Sequence, residues 1–98
     1  MRTQDKFMEK VEVVAATFHL DFIHNRQWAN TGQVRLEHKG SFKPVLVFSY
    51  SFQDTYATIN GVPRPGNERN PMDWHACPLD KLDEVIDSIH TVCRAAAQ

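Results

Sequence analysis

Two pairs of side chains lie close enough along the chain to suggest chemistry. His75 and Cys77 are separated by one residue, and a thiol beside an imidazole can act as a nucleophile or contribute two ligands to zinc. His19 and Asp21 have the same spacing, so on a strand the carboxylate would orient the imidazole for acid–base work. No third orienting group is evident for His75 and Cys77, and a pair such as His19 and Asp21 more often marks a solvated strand face. We therefore expect His75 and Cys77 to be structural and the other pair to be solvated.

The remaining sequence contains none of the common catalytic signatures. It has no Gly-rich phosphate loop, nucleophile elbow or paired-carboxylate motif. A domain of this size also has little room for a deep pocket beside its core. We therefore predict a protein that is not an enzyme and uses neither a metal ion nor a cofactor. A thiol- or metal-dependent enzyme centred on His75 and Cys77 is the least favoured alternative.

Length and composition describe an ordinary small globular chain. It has 98 residues, of which 42% are hydrophobic and 23% charged, so we predict one domain over residues 1–98. The net charge of −1 argues against a surface built throughout for phosphate backbones. The sequence has no apolar run of the roughly 18 residues that a membrane span needs, and no signal-peptide core. Two cysteines are too few for a disulfide framework, and we expect free thiols in a cytoplasmic protein.

The clearest predicted element is an amphipathic helix near the C-terminus. Apolar residues recur every three or four positions from Leu79 to Cys93, and Pro78 fits the first helical position. We expect Cys77 at the helix start, where the helix dipole would lower its pKa, and Cys93 on the buried face. The exposed face carries four acids at helical spacing: Asp80, Asp83, Glu84 and Asp87. Such a face suits a partner rich in Arg and Lys, although carboxylates also solvate a helix and stabilise its first turns.

Strand patterns occupy the middle of the chain. Residues 33–38 and 45–52 alternate apolar and polar side chains on either side of Lys39-Gly40, which predicts a β-hairpin. The apolar face of the second strand comprises Leu46, Phe48, Tyr50 and Phe52. Alternation over residues 17–22 predicts a half-buried strand before the hairpin. Residues 25–32 have the composition of a turn or wide connection.

The opening segment, residues 5–16, fits two structures. A helical stripe comprises Phe7, Val11, Val14 and Phe18, whereas strand alternation comprises Val11, Val13 and Ala15. We favour the strand. The predicted fold is therefore α+β: a small antiparallel sheet of about three to four strands packed against one long C-terminal helix in two layers.

Residues 53–77 form an unusually long segment rich in turn-forming residues. A short strand over residues 56–59 is the alternative to a continuous loop. Interfaces are enriched in Arg and Trp, so we select Arg64, Arg69 and Trp74 here, and Trp28 in the earlier turn, as partner-binding residues. A Trp in such a segment can also anchor it to the protein's own core, and for Trp74 we favour that interpretation slightly.

The absence of catalytic and cofactor signatures in a short chain is typical of small binding proteins. Phages and mobile elements encode such proteins to block host machines, including CRISPR surveillance complexes. We therefore expect a protein-binding module, an inhibitor of the anti-CRISPR kind, that covers a basic surface with its acidic helix face and long segment. Charge and size alone support this expectation.

Two further expectations concern partners. A nucleic-acid-binding regulator would use the basic and stacking residues Arg26, Trp28, Arg35 and Lys39. Self-association as a homodimer stays open, because a sheet of few strands has an exposed edge and an unused face.

Overall fold

We describe the protein from a computed structural model that defines residues 2–41, 43–64 and 74–97. In chain order the elements are α1 (Thr3–Thr17), β1 (Leu20–Trp28), β2 (Thr31–His38), β3 (Pro44–Phe52), β4 (Tyr56–Asn60), β5 (Trp74–Pro78), a 3-10 turn (Leu79–Lys81) and α2 (Leu82–Ala96). The five strands form one antiparallel sheet in sequence order. Helices α1 and α2 contact each other and pack on the sheet around one hydrophobic core. The α+β two-layer prediction is confirmed, with one more helix and at least one more strand in the described residues than expected.

The opening segment is a helix, so the favoured strand interpretation of residues 5–16 is wrong. Its buried residues lie on one helical face: Gln4, Phe7, Met8, Val11, Val14 and Ala15. Val13, which suggested strand alternation, is 63% exposed. His19 follows the helix with φ of +57°, in the left-handed conformation that commonly ends a helix. The strand predicted from residue 17 therefore begins only at Leu20.

The predicted hairpin is confirmed as β2 and β3. Val34 lies opposite Phe48, and Leu36 opposite Leu46, so the apolar faces of both strands meet the helices. The reversal predicted over residues 25–32 is tighter than expected. β1 continues to Trp28, and two turn residues separate it from β2.

The long segment contributes two strands. β4 confirms the short strand predicted over residues 56–59. β5 was not predicted because its side chains do not alternate: Trp74 and Cys77 are both buried, and Ala76 between them has φ of +52°. The pairing with β4 shifts at this point, as in a β-bulge.

The helix starts later than its sequence pattern predicts. Cys77 and Pro78 end β5, so the expected positions of Cys77 as a helix cap and Pro78 as the first helical residue are wrong. The amphipathic helix itself is confirmed as α2, with Cys93 on its buried face. Burial raises the pKa of the Cys93 thiol to about 11. Both cysteines are free. Within the residues described, no helix has the length and apolar character required to cross a membrane.

Candidate protein-binding surface

The acids predicted on the exposed side of the C-terminal helix lie at the surface. Asp83, Glu84 and Asp87 are exposed on α2, and Asp80 is exposed on the preceding 3-10 turn. Spacings of three and four residues place successive side chains on one side of a helix. We call these four residues the acidic row. Its position at the start of α2 also suits the helix dipole, which stabilises negative charge there.

One member of the acidic row is tied to the other helix. Lys10 Nζ on α1 donates to Asp83 Oδ1 at 2.6 Å, and both side chains are more than half exposed. Exposed ion pairs contribute about 0–1 kcal/mol, so this contact links the helices without fixing them strongly. Asp80, Glu84 and Asp87 form no ion pair within residues 2–41, 43–64 and 74–97. Three carboxylates of the row are therefore available to a partner.

A cleft opens beside the acidic row, between α1 and the start of α2. It has a volume of about 200 Å³ and is lined by Thr3, Lys6, Phe7, Lys10, Leu79, Asp80, Leu82 and Asp83. Apolar side chains and charges of both signs thus surround one opening. A recess of this volume admits a single side chain of a partner.

Trp74 lies in the core, as the anchoring interpretation predicted. It is 8% exposed, and its indole Nε1–H donates to the carbonyl oxygen of Val62 at 3.1 Å. The guanidinium of Arg64 lies over the ring, with Cζ 5.1 Å from the ring centroid, in cation–π geometry. Arg64 is exposed, so Arg64 and not Trp74 lies at the surface in this part of the segment. Arg69 lies outside the described residues.

Charges from two parts of the chain act on the buried thiol of Cys77. Its pKa is raised first by burial and then by Glu84, with Asp80 acting in the same direction. Arg64 and Lys81 act in the opposite direction. Arg64 and the first acids of the row thus each lie near Cys77.

Trp28 lies at the opposite edge of the sheet from Cys77. It ends β1, which is the first strand of the sheet, whereas β5 is the last. Four strand spacings separate these edges, about 19 Å. Trp28 is 74% exposed. The residues selected from sequence therefore do not form one continuous surface, and Trp28 belongs to a different edge of the molecule.

The pairs considered for catalysis do not converge. His75 is exposed and Cys77 is buried, because the left-handed Ala76 interrupts the alternation of β5. The pKa of Cys77 is raised by burial, so the lowered pKa expected at a helix start is wrong. His19 lies in the turn after α1, whereas Asp21 lies on β1. In the part of the chain that the structure describes, no group of three His, Cys, Asp or Glu residues is arranged to hold a metal ion.

The side chains considered for nucleic-acid binding are dispersed. Arg35 donates to Glu37 Oε2 from Nε at 2.9 Å and forms an ion pair with the same oxygen. Arg26 lies 3.8 Å from the Asp5 carboxylate. Lys39 occupies the β2–β3 turn, at the opposite end of β2 from the β1–β2 turn. The structure does not bring these side chains and Trp28 into one basic surface.

Sequence reasoning missed two contacts that depend on tertiary structure. The first is Lys10 with Asp83, which requires α1 and α2 to lie side by side. The second joins His24 Nε2 and Tyr50 Oη at 2.5 Å across β2. Burial, and to a smaller extent Arg26, lowers the pKa of His24. The one sequence signal for this contact is that His24 alternates in phase with the apolar face of β1.

We found no protein-family model that matches this sequence, no similar curated protein and no similar solved structure.

Proposed function

We propose that this chain is a non-enzymatic protein-binding module that covers a basic functional surface of a larger complex. The observation that carries the proposal is the acidic row, in which Asp80, Glu84 and Asp87 are exposed and form no ion pair with the described residues. Charges that are not neutralised within their own molecule attract an oppositely charged partner and accelerate its association.

The class of target follows from the charge of the row. Channels that hold nucleic acid are lined by Lys and Arg, because those side chains neutralise phosphates. We propose that the protein acts in the cytoplasm as a phage or mobile-element inhibitor of the anti-CRISPR type. In this role the acidic row takes the place of nucleic acid on a surveillance complex, and no bond in either molecule needs to be broken.

Two neighbouring features give this surface more selectivity than charge alone. Arg64 adds an exposed positive group near Cys77, and it lies over Trp74. The cleft between the helices offers a recess for one side chain, lined by apolar side chains and charges of both signs. A partner must therefore match the acidic row with a basic stretch and the cleft with a protruding side chain.

The test uses purified CRISPR surveillance complexes of several types, with target-DNA binding followed by gel mobility shift. The native chain is compared with Glu84→Lys/Asp87→Lys, which reverses two charges of the acidic row. The matched control is Glu9→Lys/Glu12→Lys, which makes the same charge change at exposed positions of α1. We expect the native chain and the control to block DNA binding at stoichiometric amounts. The acidic-row variant should need at least about tenfold more protein.

Three results would contradict parts of this proposal. Failure of the native chain to inhibit any complex in the panel would exclude the anti-CRISPR role for the types tested. Inhibition that survives the acidic-row variant would show that another surface makes the contact. Equal loss in both variants would mean that net charge, and not this row, determines binding.

A further inference from the structure

One edge of the sheet has no neighbour in the described residues. β1 is the first strand of the sheet, and its nine residues pair with β2 alone within residues 2–41, 43–64 and 74–97. Along its other side, the backbone N–H and C=O groups of β1 pair with no other strand of the described residues. Nine residues is longer than the usual strand of about five or six. β1 is therefore a long template for another strand.

This edge has few of the features that prevent strands from pairing. Edge strands are usually short, or carry Pro, Lys or a bulge near their middle. β1 contains neither Pro nor Lys, and its irregularity lies at its end, between Arg26 and Trp28. Its charged residues are Asp21 near one end and Arg26 near the other. The central part, from Phe22 to Asn25, carries no formal charge when its histidine is neutral.

The apolar side chains of β1 are incompletely covered. Phe22 is only partly buried although it packs against the core, and Ile23 is also partly exposed. Trp28 at the end of the strand is 74% exposed. A strand placed beside β1 would cover apolar surface on both faces of the sheet. The edge therefore offers hydrophobic burial in addition to backbone hydrogen bonds.

The centre of β1 is held in place on the face that meets the helices. His24 is hydrogen-bonded to Tyr50 on β3, and Arg26 lies near Asp5 of α1. These contacts fix the strand before any partner arrives. A preformed edge loses less conformational entropy on pairing than a mobile one.

We propose that two copies of the chain pair edge to edge through β1, in antiparallel orientation, and form one continuous sheet. A two-fold axis at His24, the middle residue of β1, gives the longest overlap of the two strands. Phe22 then faces Arg26 of the partner subunit, and Ile23 faces Asn25 of the partner subunit. Asp21 faces Gln27 of the partner subunit, so no two like charges are opposed.

A second copy fits this edge because the two-fold register covers exposed apolar surface and opposes no like charges. In this register the exposed Trp28 meets Leu20 of the partner subunit, Asp21 and Arg26 meet uncharged positions, and symmetry supplies every contact twice. The arrangement also keeps both helical layers on the same side of the extended sheet. This inference rests on β1 alone and does not depend on the proposed function.

Sedimentation equilibrium from about 1 to 500 µM tests the proposal on the full chain. Ile23→Lys and Asn25→Lys each place a charge at the centre of the predicted interface. Asn25 is exposed, so its replacement leaves the monomer's packing unchanged. The matched control is Val13→Lys, which makes the same change of an aliphatic side chain to Lys on the exposed face of α1.

We expect the native chain and Val13→Lys to dimerise with the same dissociation constant. Both β1 variants should dimerise at least about tenfold more weakly while keeping the native circular dichroism spectrum. A native chain that stays monomeric over the whole range would overturn the proposal. A dimer that all three variants leave unchanged would also overturn it, because another surface would then form the interface. A monomer whose β1 binds only an added strand peptide would assign the edge to a foreign partner instead.

Discussion

The two edges of the sheet are built differently. β1 has nine residues and is paired evenly over most of its length, whereas β5 has five and its pairing shifts beside Ala76. β5 ends in Pro78, which has no backbone N–H to offer a further strand. Within residues 74–78, then, the β5 edge has three features that discourage pairing: short length, a bulge and a proline.

Each edge carries one tryptophan, and the two differ in exposure. Trp74 on β5 is a core residue covered by Arg64, whereas Trp28 on β1 is exposed. The sheet therefore uses one tryptophan to hold its last strand in place and leaves the other free for contact. We infer that β5 serves the stability of the fold and that β1 serves association.

Replacing each tryptophan by alanine should give the largest difference between the edges. Trp74→Ala removes a buried ring and its hydrogen bond to Val62, and should lower the free energy of unfolding by about 3–5 kcal/mol. Trp28→Ala should change it by no more than about 0.5 kcal/mol. Urea denaturation followed by far-ultraviolet circular dichroism measures both without relying on tryptophan fluorescence.

These measurements belong at low protein concentration, where association through β1 contributes little. Similar losses in the two variants would contradict the assignment of β5 to stability and β1 to association. A small loss for Trp74→Ala would show that the indole is not needed to anchor the strand.

The same contrast explains which elements the sequence could predict. β2, β3 and α2 have one continuously buried face, so their periodicity alone revealed them. The sequence pattern did not reveal β5. Trp74 and Cys77 are both buried with two residues between them, and this spacing does not match the two-residue period of a strand. In α1, the exposed residue Val13 gave the sequence an apparent strand alternation. Only the packing of the opposite face distinguishes a helix from a strand here.

The candidate surface was predictable to a smaller extent. Helical spacing alone identified the acidic row, because position along one helix determines which side chains are neighbours. The ion pair of Asp83 with Lys10 was not predictable, since Lys10 belongs to another helix. The distance between Trp28 and Arg64 was not predictable either, because it depends on the order of the strands in the sheet and not on position along the chain.

A smaller effect is expected at the bulge that shortens β5. Ala76 has φ of +52°, where glycine is accommodated without the strain that a Cβ causes. Ala76→Gly should therefore raise the free energy of unfolding by up to about 1 kcal/mol, although the greater freedom of the unfolded chain offsets part of this gain. The control is Ala16→Gly in α1, which should lower it by about 0.5–1 kcal/mol. Destabilisation by Ala76→Gly would mean that the methyl group, and not the backbone, holds the bulge.

The smallest effect concerns His24, at the centre of the β1 edge. Burial and Arg26 lower its pKa from the usual 6.5, so the unfolded chain binds this proton more readily than the folded chain. The stability due to neutral His24 is complete above about pH 6.5 and is lost as the pH falls through the lowered pKa. The stability advantage of the native chain over His24→Gln should therefore shrink between about pH 7.5 and 5. Tyr50→Phe should keep this pH dependence, because burial and not the Tyr50 hydrogen bond is its main cause. If Tyr50→Phe abolishes the dependence, the hydrogen bond is the cause, and the centre of β1 is less buried than its side-chain packing indicates.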